Sequence, residues 1–443
     1  MPSSHSVANI YTLGCPKNEA DTRSLERALL DRGVGLVDDP SVATHIIINT
    51  CGFIADAKEE SIAAILEASA SHPEADLVVI GCLVQRYREE LKESLPEVEG
   101  WFGVYSEDEV AEHVASGCHP ADTEPSSLLA ASGSSFAYVK ISDGCNHRCS
   151  FCAIPNIKGP YHQAELRDIV GQAESAVDAG ARELVLVGQD TSLWRDGKLG
   201  LADLVDVLTQ DRRVEWIRLM YLHPETLDRD LIELVAHHPR VCRYLDVPLQ
   251  HASRRVLSDM KRSGDGSRYL QLLDGARQEM PDVSLRSTFI VGFPGETEEE
   301  SEELVELVER AEFDHAGAFA YSPEEGTAAS GFSFPVSESV VRRRLNRLSA
   351  ILLSVAEARN RRLLGERVQV MLDKWDDLEN EGVRPEGVSA VGRTYRQAPE
   401  VDGVTFLEGD LPSGVGVGDI LSATVTEVAG FDLVAECDVA ESS

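Results

Sequence analysis

Three closely spaced cysteines form the most specific local pattern in the sequence. Cys145, Cys149 and Cys152 lie within ISDGCNHRCSFCAIP and follow the spacing C-x-x-x-C-x-x-C. Three thiolates this close can bind three irons of a cubane iron–sulfur cluster and leave the fourth iron without a protein ligand. An open iron can bind a substrate or cofactor, which separates this pattern from a closed four-cysteine cluster or a structural zinc site.

Zinc is the alternative metal for this loop, because His147 lies between the cysteines and could complete a Cys₃His site. The loop is short for four groups to converge tetrahedrally, and a structural zinc finger is not needed at the mouth of a barrel. We therefore predict an iron–sulfur cluster and interpret His147 as an exposed loop residue.

Three further cysteines each follow a strand-like run near the N-terminus. ANIYTLGC ends at Cys15, THIIINTC at Cys51 and ADLVVIGC at Cys82, and a segment with helical periodicity follows each of them. Such a β-α series packs as a parallel sheet, whose carboxyl edge forms a ligand-binding crevice. A chance core cysteine would more often lie inside the apolar run, since free Cys behaves as a small hydrophobe. The three positions therefore predict a shared ligand on one rim of the sheet.

The elements around these cysteines predict an α/β protein of three domains. Residues 1–117 form a parallel α/β sheet domain, and 118–135, rich in Pro, Ser and Ala, form a linker. Residues 136–365 alternate six strand-like segments with amphipathic helices, which predicts an open or partial (β/α) barrel. Residues 366–443 contain short alternating strands with Gly-rich turns, which predict a small antiparallel β-barrel.

Composition limits the class of protein. Nine cysteines at uneven spacing, odd in number, do not indicate a disulfide framework, and we expect Cys118, Cys242 and Cys437 to be packed or free thiols without metal. A net charge of −35 repels nucleic acid and attracts basic partners, although it could equally be an ordinary acidic surface. With no apolar membrane stretch and no N-terminal targeting pattern, we expect a soluble, cytoplasmic protein.

The cysteine loop resembles the signature of the radical S-adenosylmethionine (SAM) enzymes, with Phe151 in the aromatic position before Cys152. The preceding three-cysteine domain and the following small barrel make the chain similar to the methylthiotransferases, which end in a TRAM domain. One branch of that family modifies a transfer RNA adenosine, and the other an aspartate of the twelfth small-subunit ribosomal protein. The stretches LVGQDTSLW, MYLHPE and YLDVPLQHAS are similar to the ribosomal-protein branch.

This resemblance implies two [4Fe–4S] clusters and SAM as cofactors. The cluster on Cys145, Cys149 and Cys152 would bind SAM and cleave it to a 5′-deoxyadenosyl radical, which removes hydrogen from the aspartate β-carbon. The cluster on Cys15, Cys51 and Cys82 would hold the sulfur that becomes the methylthio group. The implied partners are the ribosomal protein and a reductant protein. Transfer RNA is the less favoured substrate, because residues 366–443 carry 17 acidic and 5 basic residues.

Weaker candidates for SAM contacts lie at strand ends of the predicted barrel. Gln189, Asp190 and Gln250 follow strand-like runs, where an ordinary polar strand cap is the alternative interpretation. Gly292 and Pro294 in FIVGFPGE could shape a loop that approaches the adenosyl group, or simply form a turn.

The sequence departs from the family after the cysteine loop. The family usually continues with an Arg-Gly segment and then Ser-Arg, whereas IKGPYHQAELRD has Lys158-Gly159 and then Gln163-Ala164. The resemblance therefore implies that Lys158 or Arg167 takes over the role of the missing arginine.

Two other functions compete with methylthiolation of the ribosomal protein. Methylthiolation of a transfer RNA adenosine uses the same chemistry. A non-catalytic iron–sulfur or zinc scaffold belongs to a different class, and the sequence opposes it because both predicted sites have three ligands. An electron carrier gains nothing from an open coordination position.

Overall fold

A computed structural model describes residues 6–116, 133–375 and 387–438. The N-terminal part is a five-stranded, fully parallel sheet with strand order β2-β1-β3-β4-β5. Its central strands are apolar on both faces, as expected for a sheet covered by helices on both sides. The strands are β1 (Val7–Thr12), β2 (Gly35–Leu36), β3 (His45–Thr50), β4 (Asp76–Gly81) and β5 (Gly100–Phe102). The helices are α1 (Pro16–Asp31), α2 (Ala55–Ser71), α3 (Cys82–Ser94) and α4 (Glu107–Ala115).

The central part contains the six predicted parallel strands. They form two three-stranded sheets, β6-β9-β10 and β11-β12-β13, and a parallel bridge between Ile217 and Val241 joins β10 to the segment before β11. The strands are β6 (Phe136–Lys140), β9 (Glu183–Val187), β10 (Trp216–Leu219), β11 (Tyr244–Asp246), β12 (Ser284–Val291) and β13 (His315–Ala320). The prediction of a partial (β/α) barrel is confirmed.

Eight helices accompany these strands within the described residues. They are α5 (Ile154–Ile157), α6 (Leu166–Asp178), α7 (Leu201–Leu208), α8 (Arg229–His237), α9 (Arg254–Asp259), α10 (Gly266–Glu279), α11 (Glu298–Ala311) and α12 (Glu338–Asn360). One continuous apolar core fills the space between helices and strands and includes Trp194, Phe289 and Phe293. This core fixes the strand ends that position the side chains of the site.

A short antiparallel pair closes the base of the cysteine loop. β7 (Ser142–Asp143) follows β6 and pairs with β8 (His162–Gln163), so residues 144–161 leave and return at the same point. Gly144 has φ +65°, and a Cβ there would lie 2.2 Å from the carbonyl oxygen of Pro160. Only glycine permits this approach, which holds the loop at the carboxyl end of β6.

The C-terminal part is a closed five-stranded barrel in the order β14-β15-β16-β18-β17. Its strands are β14 (Arg367–Trp375), β15 (Val388–Thr394), β16 (Thr405–Glu408), β17 (Ile420–Ala429) and β18 (Asp432–Cys437). The prediction of an antiparallel barrel was wrong for one pair, because β16 and β18 run parallel. Five strands in a closed ring cannot alternate in direction throughout, so at least one neighbouring pair must be parallel.

Buried ion pairs attach this small barrel to the central part. Arg393 donates to Glu183 at 2.6 Å, and Glu183 also accepts from Arg218 at 2.6 Å. Arg396 pairs with Asp314 in the same interface. Two of the five basic residues of the C-terminal segment are therefore buried against the central barrel, which leaves the outer surface more acidic than the sequence count alone implies.

Several sequence predictions stay untested or concern residues outside the described ranges. The domain ranges 1–117, 118–135, 136–365 and 366–443 stay predictions, and Cys118 with most of the predicted linker lies outside the described residues.

The free thiols Cys242 and Cys437 are buried in apolar clusters. Within the described residues, no helix is long and apolar enough to cross a membrane.

Candidate active site

The cysteine loop presents its three thiols to one cavity at the carboxyl ends of the barrel strands. Cys145, Cys149 and Cys152, hereafter the loop triad, are each partly exposed and line a cavity of about 240 Å³. The loop is anchored from below, because Ser150 donates its backbone N–H to Met260 at 3.0 Å and its hydroxyl to Asp259 at 2.6 Å. The thiols are therefore held by a fixed loop rather than by a flexible tip.

Groups from five barrel strand ends and from the N-terminal part complete this cavity. The predicted residues Phe151, Gln189 and Gln250 are among them. The remaining lining residues are Phe53, His147, Ile154, Tyr221, Leu222, His223, Pro248, Arg262 and Thr288. Aromatic faces and amide groups beside three thiols match the donor set that a three-thiolate cluster and a zwitterionic sulfonium cofactor need.

Three adjacent strands of the N-terminal sheet bring the other three cysteines together. Cys15 follows β1, Cys51 follows β3 and Cys82 follows β4, and these strands are neighbours in the order β1-β3-β4. We call Cys15, Cys51 and Cys82 the rim triad. The thiols interact electrostatically with one another, as expected for groups that share one rim. The sequence prediction that they would converge after folding is consistent with this position.

Glycines beside the cysteines permit this convergence. Gly14 has φ +104°, and a Cβ there would lie 2.7 Å from the Cβ and 3.1 Å from the Sγ of Cys51. A Cβ on Gly52 would lie 2.7 Å from the backbone of Leu83, directly after Cys82. Any larger residue at these positions would push the strand ends apart.

Side chains with amide and hydroxyl groups fix the rim. Asn18 donates to the carbonyl oxygens of Leu13 at 2.7 Å and Thr50 at 3.3 Å, which joins the ends of β1 and β3. The hydroxyl of Ser61 accepts from the N–H of Cys51 at 3.1 Å and donates to its carbonyl at 2.9 Å. The backbone around Cys51 is thus rigid before any ligand binds.

Burial disfavours the thiolate form in both triads. It raises the pKa of Cys82 to about 12 and that of Cys152 to about 12, and it raises the pKa of Cys51 and Cys145 as well. Metal binding requires thiolates, so bound iron must displace these protons and supply the missing positive charge.

The two triads lie close to each other. Cys82 packs against Ala153 and Ile157, which directly follow the loop triad. Lys17, the second residue of α1, places its ammonium 3.4 Å from the ring centroid of Tyr221, a residue of the cavity wall. The N-terminal sheet edge therefore closes over the mouth of the central barrel.

A buried ionic network joins the two parts beside the triads. Lys158 donates to Asp21 at 2.8 Å and lies 3.2 Å from Asp143, and Lys140 also pairs with Asp21. Burial alone would lower the pKa of Lys158, but Asp21 and Asp143 raise it above its usual value. Tyr105 donates to the Lys158 carbonyl at 2.9 Å. Lys158 thus acts as an interface cation next to Cys82 rather than as a lining residue of the cavity.

Arg167 does not take over the role of the missing family arginine. Its side chain is 82% exposed and pairs only with Glu165 and Asp168 on the outer surface. The cation at the loop triad is Arg262, whose Nη1 lies 3.8 Å from the Sγ of Cys149 and whose Nη2 donates to Pro248 at 2.7 Å. Arg262 follows α9, more than a hundred residues after the cysteines, so the motif gave no indication of it.

The interpretation of His147 as an exposed loop residue was wrong. His147 is half-buried, its Nε2 is 2.7 Å from a carboxylate oxygen of Asp190, and its ring stacks on His223 at 4.0 Å. Asp190, predicted to contact SAM, is fully buried below the cavity and also accepts from Ser192. The carboxylate therefore positions His147 and occupies its Nε2.

The ligand atoms of His147, Asp190 and His223 lie within 4.8 Å of one another, which would suit a metal ion. Burial, Arg262 and His147 lower the pKa of His223 well below its usual range, so its imidazole is neutral. The hydrogen bond and the ring stacking satisfy the two imidazoles without an ion.

Gly292 and Pro294 are not brought to the cavity. Both are buried at the turn after β12, where the N–H of Gly292 donates to Glu296 at 2.6 Å. A Cβ on Gly292 would lie 2.5 Å from the side chain of Val341. The turn leaves space for the close approach of α12, and contact with an adenosyl group stays a prediction.

Known protein families match all three parts of the chain. The Radical SAM superfamily matches residues 139–308, the Uncharacterized protein family UPF0004 matches residues 7–103, and the TRAM domain matches residues 364–437. The first match contains the loop triad and the second contains the rim triad.

Relatives match nearly the whole chain. The ribosomal protein uS12 methylthiotransferase RimO of Aquifex aeolicus is 41% identical over 431 residues, covering 96% of this chain and 95% of the relative. That of Moorella thermoacetica is 41% identical and covers 92% and 94%, respectively. Among solved structures, the radical S-adenosylmethionine methyltransferase TsrM from Kitasatospora setae matches with a TM-score of 0.54 at 17% identity, covering 72% of this chain and 77% of that chain. That likeness shows the fold alone.

Proposed function

This chain belongs to the family of ribosomal protein uS12 methylthiotransferases, which are radical SAM enzymes, and on that premise we propose the substrate atom and the residues of its reaction. The enzyme transfers a methylthio group to the β-carbon of an aspartate in uS12. The observation that carries this proposal is the proximity of the two triads, shown by the packing of Cys82 against Ala153 and Ile157 directly after the loop triad, because the reaction needs a radical and a sulfur donor at one carbon atom.

We assign one [4Fe–4S] cluster to each triad. Cys145, Cys149 and Cys152 hold the SAM-binding cluster, and Cys15, Cys51 and Cys82 hold the other. When bound, these cofactors supply a carbon radical that abstracts hydrogen and a sulfur that carries the methyl group. The three-ligand sets fit this role, because each leaves one iron open to a ligand that the protein does not provide.

The residues of the chain orient the reactants. Phe151, Gln189 and Gln250 line the cavity and are our candidates for contacts with SAM. Arg262 places positive charge at Cys149, which favours the reduced, more negative state of a cluster there. The N-terminal part contributes Phe53 to the cavity wall, which limits the access of water to a radical formed there.

The charge distribution supports a basic protein as substrate rather than transfer RNA. Arg393 and Arg396 of the C-terminal barrel are buried in ion pairs and cannot reach phosphates. RNA binding depends on exposed Lys and Arg, whereas a ribosomal protein is basic and is attracted by an acidic surface. The reductant protein and a cytoplasmic location stay predictions from the sequence.

Product analysis after incubation with SAM and a reductant tests this function. The reconstituted enzyme should replace one hydrogen of a uS12 aspartate by a methylthio group, detected by mass spectrometry of the peptides. Parallel incubation with transfer RNA should leave every adenosine unmodified. Modification of transfer RNA but not of uS12 would overturn the substrate assignment. The Cys437→Ala variant, altered in the C-terminal barrel core, should modify uS12 normally and serves as the control.

A further inference from the structure

Lys17 is a buried cation that contacts Tyr221, a residue of the cavity wall. Its side chain is only 9% exposed, and its ammonium lies 3.4 Å from the ring centroid of Tyr221. It interacts electrostatically with the thiols of Cys15, Cys51 and Cys152, which belong to both triads.

The ammonium of Lys17 has no hydrogen-bond acceptor and no ion pair among the residues that the structure describes. Two other lysines of this region are both paired, since Lys140 and Lys158 each contact Asp21 and Asp143. A buried charge without a hydrogen-bonding partner is costly, and a cation–π contact offsets only part of that cost. An anion from outside the chain would complete the site.

The Tyr221 ring, which the Lys17 ammonium contacts, is held in place by a strained backbone conformation. Tyr221 has φ +59°, a left-handed conformation that is uncommon for an aromatic residue. Its N–H donates to Asp246 at 2.9 Å, and Asp246 is itself fixed by Arg286 at 2.9 Å. The backbone strain and the second hydrogen bond indicate that the position of this ring, and of the ammonium on it, is specified.

We propose that Lys17 binds the carboxylate of the substrate aspartate, an inference that rests on the proposed function. The carboxylate carbon is bonded directly to the reacting β-carbon, so anchoring the carboxylate between the triads also places the carbon that loses hydrogen and gains sulfur. Tyr221 orients the ammonium but does not neutralise it, which leaves its donors available. Lys17 thereby selects aspartate over an uncharged residue of the same shape, such as asparagine.

The decisive experiment measures the discrimination between two substrates. Dissociation constants are determined for the reconstituted enzyme with uS12 carrying either the target aspartate or asparagine in its place. The wild-type enzyme should bind the asparagine form about 10- to 100-fold more weakly, as expected for loss of one charge-assisted hydrogen bond. Lys17→Gln should bind both forms with equal affinity, and Lys17→Arg should restore much of the preference.

Controls separate this effect from a structural one. Lys92→Gln removes an exposed lysine of α3 and should keep the wild-type preference. Iron content and the spectra of both clusters should be unchanged in Lys17→Gln. If Lys17→Gln still prefers aspartate as strongly as wild type does, the inference is wrong. If, in addition, hydrosulfide changes the spectrum of the rim-triad cluster in Lys17→Gln, Lys17 holds a sulfur anion instead of the substrate carboxylate.

The outcome also distinguishes the inference from the function on which it rests. Wild-type enzyme that modifies uS12 while Lys17→Gln keeps its preference overturns the role of Lys17 alone. Wild-type enzyme that does not modify uS12 under the same conditions overturns the proposed function and, with it, the role of Lys17.

Discussion

Each cysteine triad presents three thiols, but the two triads differ in how the chain brings these thiols together. The loop triad comes from eight consecutive residues, and its cysteines are half-exposed on the wall of a cavity. The rim triad comes from three strand ends that are 31 to 36 residues apart, and Cys51 and Cys82 are buried. The loop triad can be recognised from the spacing of its cysteines in the sequence. The rim triad forms only through the strand order of the sheet and through the glycines that let the strand ends approach each other. This difference fits the proposed roles, in which the loop triad admits a cofactor and the rim triad, with two of its three thiols buried, retains a group.

The largest expected effect comes from removing one thiol of each set. Cys149→Ala should abolish both SAM cleavage and uS12 modification, because the SAM-binding cluster is lost. Cys51→Ala should abolish methylthio transfer while SAM is still cleaved to 5′-deoxyadenosine, because the loop triad remains intact. Chromatography of the products checks both variants. Normal methylthio transfer by Cys51→Ala would contradict the division of roles.

A backbone substitution should disable the rim triad without touching a thiol. In Gly14→Ala the new Cβ would clash with Cys51, so we expect about four of eight irons to be lost. Gly33→Ala is the matched control, because Gly33 also has positive φ (+78°) but has no atom near its Cβ position. Iron analysis after reconstitution measures the difference. Equal iron in the two variants would mean that close approach at Gly14 is not required.

The network between the two regions should contribute strongly to stability. In Lys158→Met the buried Asp143 and Asp21 lose a partner, and we expect the free energy of unfolding to fall by about 3 kcal/mol. Arg167→Met removes only exposed ion pairs and should leave the unfolding midpoint in urea unchanged. A Lys158→Met variant as stable as wild type would show that the network does not hold the sheet on the barrel.

A pH dependence of stability should belong to the central barrel and reach a similar size only at low pH. Burial lowers the pKa of His251 to about 4, and its Nδ1 accepts from the N–H of Ser253 at 3.0 Å, so the ring is neutral in the folded protein. Between pH 6.5 and 4 the unfolded chain binds a proton here that the folded protein does not bind. Stability should therefore fall as the pH is lowered, by about 3 kcal/mol at pH 4.

His251→Gln should flatten this part of the stability–pH curve, while His237→Gln, at an exposed position, should not change it. Urea unfolding between pH 7 and 4 provides the comparison. Parallel curves for wild type and His251→Gln would exclude His251 as the group responsible.

Much of the fold followed from hydrophobic patterning. The runs IIIN and LVVI and the six strand-like segments of the central part predicted parallel strands, because strands covered on both faces are continuously apolar. The parallel pairing of β16 with β18 was not predicted, since the direction of a pair depends on closure of the ring rather than on any local residue pattern.

The six cysteines were also evident from the sequence, although their cluster assignments stay proposals. Residues that enter the site from a distance were not, because Arg262, Tyr221 and Lys17 meet only through tertiary packing. His147 was misjudged for the same reason: its partner Asp190 lies 43 residues further along the chain. A charged residue two positions after a strand-end cysteine was the one available indication of Lys17.

Iron counting after anaerobic reconstitution tests the central claim, two clusters on two triads, most directly. The wild-type chain should bind about eight irons, and replacing either triad by alanines should leave about four. Four irons in wild type, unchanged when Cys15, Cys51 and Cys82 are replaced, would contradict the two-cluster account.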